Sequence, residues 1–112
     1  MAIFRHKTSG DLDGFVAHLD QQVLGGSVSA SREASYDESL GDARMVVRVY
    51  ERFSGFSGSR VSLNVSVLEA GGELAICAVT SGGSRAMFFK MDTVGEGSFM
   101  TKAQAAITSY SG

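Results

Sequence analysis

The chain has 112 residues, ten Lys+Arg against twelve Asp+Glu, no Pro or Trp, one Cys and 44% hydrophobic residues. That length suits one domain, residues 1–112, and seven Phe with three Tyr supply a core without disulfides or metal, which excludes disorder and a separate regulatory domain. A formal net charge of −2 excludes long-range attraction to nucleic acid or an anionic membrane.

Residues 2–6 read as a short edge strand. Ser9 is a plausible N-cap, with Asp11 and Asp13 in the first turn, where the helix dipole favours anions. Leu12, Phe15, Val16, Leu19, Val23 and Leu24 then recur at helical spacing until Gly25-Gly26 stops the helix. From Ser27 the period becomes two: Val28, Ala30, Ala34 and Tyr36 alternate with serines and Glu33, leaving Arg32 as the one inconsistent inward residue. A polar turn over 37–42 leads into a second strand. There Met45, Val47, Val49 and Phe53 face inward, and Arg44, Arg48 and Arg52 give the outer face a basic row with Tyr50.

After a loop over 54–58, Val61, Leu63, Val65 and Val67 mark a third strand, and Glu69-Ala70-Gly71-Gly72 is a hairpin signal. Leu74–Val79 is apolar at every position, as expected of a strand that is central or covered on both faces. The turn 81–85 leads into Ala86–Met91, read as a strand from Phe88 and Phe89, with a short helical turn as the alternative. Ser98 caps a last helix in which Phe99, Ala103, Ala106, Ile107 and Tyr110 share a face. Short connections between successive strands imply an antiparallel meander. The fold class is therefore α+β, a two-layer domain of four to six strands packed against an N-terminal and a C-terminal helix.

Hairpin loops of a meander alternate between its ends, so the loops 54–60 and 81–85 fall at the same end. Both are rich in Gly and Ser and close on Ser-Arg, as Ser59-Arg60 and Ser84-Arg85. Exposed backbone N–H groups, hydroxyls and Arg forks suit a small anionic ligand, and Arg52, Ser59, Arg60, Gly82, Gly83, Ser84 and Arg85 form that candidate site. Solvated turns with surface Arg are the more frequent meaning of such loops. The opposite end collects Asp37, Glu38, Asp42, Glu69 and Glu73, whose spacing fits no calcium loop and reads as a solvated acidic rim.

The row Arg44, Arg48, Tyr50 and Arg52 resembles a small nucleic-acid platform, but pairing with Glu33 or Glu38 is the simpler expectation, and nucleic acid is not an expected partner. His6 and His18 stand beside no nucleophile and read as surface histidines. Cys77, alone, makes no internal disulfide or multi-cysteine zinc motif and reads as a small core residue. Met45, Met87, Met91 and Met100 with Phe88, Phe89 and Phe99 read as core between helix and sheet, with an apolar pocket as the alternative. No catalytic residue, cofactor or metal is expected. The N-terminus shows no secretory h-region, and no apolar run approaches the roughly 20 residues that span a bilayer, so a cytoplasmic location is expected.

The stretch Phe88-Phe89-Lys90-Met91-Asp92-Thr93-Val94-Gly95-Glu96-Gly97-Ser98-Phe99, with the N-terminal helix and the Ser-rich first long strand, resembles small bacterial proteins of about this length that form a family of unknown function. The resemblance implies a bacterial single-domain protein and carries no catalytic residues. The expected function is that of a non-enzymatic binding or assembly domain and a homodimer, since a meander leaves an edge and the two ends differ in charge. A small-molecule binder using the Gly/Ser/Arg loops or a helix–sheet pocket is the alternative.

Overall fold

The structure, a computed structural model, describes residues 1–25, 29–53, 60–82 and 88–110, of which 88–98 by backbone alone. In chain order the elements are β1 (Ala2–Ser9), α1 (Leu12–Gly25), β2 (Ala30–Leu40), β3 (Ala43–Phe53), β4 (Arg60–Ala70), β5 (Glu73–Gly82) and α2 (Phe88–Ser109). The strands form one antiparallel sheet of order β1-β5-β4-β3-β2. From β2 to β5 it is the expected meander. β1 closes it by pairing with β5, with Ala2 opposite Thr80 and Ser9 opposite Glu73.

Both helices lie on one face. Val61, Leu63, Val65 and Val67 of β4 and Leu74, Ile76 and Ala78 of β5 turn toward them and are buried with Phe15, Leu19 and Val23 of α1 and Phe99, Ala103 and Ile107 of α2. α2 packs over β1, β5 and β4, and α1 reaches β2 at the far edge. The α+β two-layer architecture expected from the alternation is the one observed.

Several local expectations are corrected. The cap of α1 is Asp11, whose Oδ2 accepts the Gly14 amide at 2.7 Å, while Ser9 ends β1. β2 continues to Leu40, so the turn over 37–42 shrinks to Gly41-Asp42. β5 is an inner strand between β1 and β4, as the central reading of its apolar run expected, while its Ala75, Cys77 and Val79 point to a face that no described element covers. Phe88–Met91 belongs to α2, and Ser98 lies inside that helix instead of capping it; Ala86 and Met87 fall outside the described residues. The strand preference of paired Phe is a packing preference and does not by itself fix the backbone.

The largest correction concerns sidedness. On β3 the residues facing the helices are Arg44, Val46, Arg48, Tyr50 and Arg52, while Met45, Val47, Val49 and Phe53 face the open side. On β2 a bulge shifts the register between Arg32 and Ala34. Ala30 and Arg32 therefore face the helices opposite Arg52 and Tyr50, whereas Ala34 and Tyr36 face the open side opposite Val49 and Val47. Val28 lies outside the described residues.

Gly71 and Gly72 both have positive φ, 61° and 81°, the backbone that a two-residue type I′ hairpin requires. Gly82 is constrained twice, by a φ of 115° and by the Arg60 carbonyl oxygen, which would lie 2.6 Å from an added Cβ. Gly82→Ala is expected to cost about 1–3 kcal/mol through backbone strain, read as a lowered denaturant midpoint with an unchanged slope.

Candidate functional site

Among the described residues, three places gather chemistry-bearing side chains: the seam between α1 and β3, the end where β3, β4 and β5 meet, and the open face of the sheet.

The seam accounts for the arginine row. Asp13 and Asp20 stand seven residues apart on α1 and so share one helical face, the one laid over β3. Arg44 donates to Asp13 at 3.2 and 3.3 Å, and this hydrogen bond, then the charge of Arg44, holds the Asp13 carboxyl below its ordinary pKa. Asp20 is the node. Its Oδ2 accepts Arg32 Nη1 at 2.8 Å and lies 4.0 Å from Arg48 Nε, and its Oδ1 accepts the Tyr50 hydroxyl. Burial first, then that hydrogen bond, raises the Tyr50 pKa well above the ordinary tyrosine value. Arg32, Arg44 and Arg48 thus pair with aspartates of α1 instead of Glu33 or Glu38, and Tyr50 is fully buried, so no stacking platform forms along β3.

At the second place Phe53 pairs with Arg60 and Val61 with Gly82, so the ends of β3, β4 and β5 come together. Arg52 and Arg60 nonetheless point to opposite faces. Arg52 lies on the helix side, its guanidinium carbon 4.6 Å from the centre of the Phe99 ring, and burial lowers its pKa. Arg60 lies on the open side, donates to Glu51 at 2.7 Å and sits over Phe53. A cleft of about 50 Å³ at this corner is lined by Ser29, Ser31, Glu51, Arg52, Phe53 and Arg60. That is room for a water or two, far from the several hundred Å³ of an organic ligand site. Ser59, Gly83, Ser84 and Arg85 fall outside the described residues.

The acidic rim lies at the other end of the sheet, and among the described residues no group of three His, Cys, Asp or Glu is placed to hold a metal. His18 is not a surface histidine. Its Nε2 lies 2.9 Å from the Ala106 carbonyl oxygen and 3.1 Å from Ser109 Oγ, so Nε2 carries the proton and ties α1 to α2. His6 faces the helix side of β1 and stacks on Phe4 with ring centres 6.0 Å apart. Cys77 is half-buried on the open face between Arg5 and Ser66, outside the core. Phe99 and Met100 are buried in the core, whereas Met45 is exposed on the open face, so these do not line one pocket.

The third place was not anticipated. Among the described residues, and apart from terminal Met1, the exposed large apolar residues, Ile3, Tyr36, Leu40, Met45, Phe53 and Leu68, all stand on the open face, with exposures from 36% to 83%. The signal in the sequence was the alternation on β3, which is apolar in one phase and basic in the other. The aspartates of α1 decide which phase meets the helices.

Asp20→Asn removes the charge shared by Arg32, Arg48 and Tyr50 and is expected to lower unfolding stability by about 2 kcal/mol, measured by urea denaturation. The raised pKa of Tyr50 sets a direction in alkali. Its contribution to stability is complete below the unfolded tyrosine pKa of about 10 and is lost as pH rises above it. Tyr50→Phe is therefore expected to flatten the fall in stability above about pH 10; superimposable curves for the two proteins would refute the assignment.

Among the described residues no helix is long and apolar enough to cross a membrane. No curated protein matches the chain. The model of a family of unknown function, DUF6054, matches residues 1–111. The chain belongs to that family.

Proposed function

We propose that the chain is a small assembly domain, acting by binding and not by catalysis, which pairs with a second copy through the open face of its sheet. The observation that carries this reading is that, among the described residues and Met1 aside, the exposed large apolar side chains are confined to that one face. Large apolar side chains gathered on one water-exposed sheet face are costly for an isolated chain and are typical of association sites. The expectation of a homodimer rested on a free edge and on charged ends. The β2 edge instead carries features that discourage strand addition: the bulge beside Arg32, and the charges of Arg32, Glu33, Asp37 and Glu38. These support a face as the surface of association.

Light scattering of the wild-type chain at micromolar concentration is expected to give twice the chain mass of 11.8 kDa. Val47→Lys, at the middle of the open face, is expected to give 11.8 kDa with an unchanged circular dichroism spectrum. A wild-type chain that stays at the single mass overturns the reading.

A further inference from the structure

The assembly reading names a surface and a second copy; the rows of side chains on that surface carry information about how the copies meet. Strand register sets the open face out in level rows. One runs Arg5, Cys77, Ser66, Val47, Tyr36 from β1 to β2; the next runs Lys7, Ala75, Leu68, Met45, Glu38; a third runs Ile3, Val79, Asn64, Val49, Ala34. The β1 end of these rows is basic. Arg5 and Lys7 are exposed, and among the described residues neither has an ion-pair partner. The β2 end is acidic, where Glu38 accepts the Tyr36 hydroxyl.

We propose that two copies stack open face on open face about a two-fold axis running parallel to the strands along β4, so that β1 of each copy lies against β2 of the other. This rests on the assembly reading above. Such an axis keeps every row at its level and reverses its order. Lys7 then falls opposite Glu38 and Arg5 opposite Tyr36, an ion pair and a cation over a ring, and symmetry makes each contact twice. Small residues meet larger ones, Ala75 against Met45 and Cys77 against Val47, while Asn64 and Ser66 of β4 meet their own copies, where amide and hydroxyl groups can pair. At the end of β4 Arg60 falls on the axis with its charge already matched by Glu51, 2.7 Å away.

The other in-plane axis, across the strands, lays β1 over β1 and sets Arg5 and Lys7 against the same two cations, a like-charge contact that disfavours it. Two copies of one twisted sheet nest without distortion, as aligned sheets do in sandwiches. Five strands spaced ~4.8 Å apart and about nine residues long offer roughly 700 Å² per copy, close to the ~800 Å² per partner of a stable interface.

The test is a charge swap read by sedimentation equilibrium. Lys7→Glu and Glu38→Lys are each expected to weaken the dimer about tenfold, and the double variant to regain an affinity within about threefold of wild type. Lys7→Gln and Glu38→Gln replace the reversals if either disturbs the circular dichroism spectrum, with a smaller loss expected. A wild-type dimer that Lys7→Glu tightens, or that neither change affects, or whose losses add in the double variant, overturns this arrangement and leaves the assembly reading standing. A monomeric wild type overturns both.

Discussion

The carboxylate of Asp20 is the point on which the architecture turns. α1 must carry the chain from β1, at one edge of the sheet, to β2 at the other, passing over three strands not yet made. Apolar contact alone does not hold it over the β3 side, because the helix-facing row of β3 offers three arginines beside Val46 and Tyr50. Asp20 converts that row into an attachment by taking Arg32 of β2, Arg48 of β3 and the Tyr50 hydroxyl onto one group. Asp13 and Arg44 repeat the contact two turns earlier in exposed form. Partial burial makes the Asp20 cluster matter more than an ordinary surface pair, since charges shielded from water must find partners or give up their charge.

The covered face thus divides into an apolar half, where β4 and β5 meet both helices, and a polar half, where β3 and β2 meet α1. The division propagates through the sheet. Because β3 spends its polar phase on α1, its apolar phase, Met45, Val47 and Val49, is left for the open side. The bulge in β2 does the same for the edge strand, giving Arg32 to the seam and Tyr36 to the open face. One electrostatic choice on the inside creates the apolar surface on the outside.

Much of the fold was legible. Helical periodicity located α1, hairpin chemistry located the β4–β5 turn, and short connections implied the meander and hence the α+β class. Sidedness on β3 was not, because the usual rule sends the apolar phase inward, and only the placement of α1 shows that Asp13 and Asp20 outweigh it. The two-period reading of β2 failed at a single inserted residue, which alternation cannot register. The start of α2 was missed since Phe88 and Phe89 read as strand formers and Ser98 as an N-cap, two local signals that also occur inside helices. Of the candidate anion site, the sequence indicated correctly that Arg52, Arg60 and Gly82 share one end. It could not show that the two guanidinium groups diverge across the sheet, since that follows from their pairing partners, Phe99 on one side and Glu51 on the other.

The closing of the sheet by its first strand bears on the order of folding. β2 through β5 are joined by near neighbours, so their three hairpins assemble over short loops, whereas β1 pairs with a strand more than sixty residues further on. During synthesis β1 and α1 leave the ribosome first, and β5, from the time it forms until β1 joins it, presents open backbone donors and acceptors along one edge. Closing the sheet is thus the return of its first strand to its last. The side chains it brings to the open face, Arg5 and Lys7 among them, are in place only once β5 has been made.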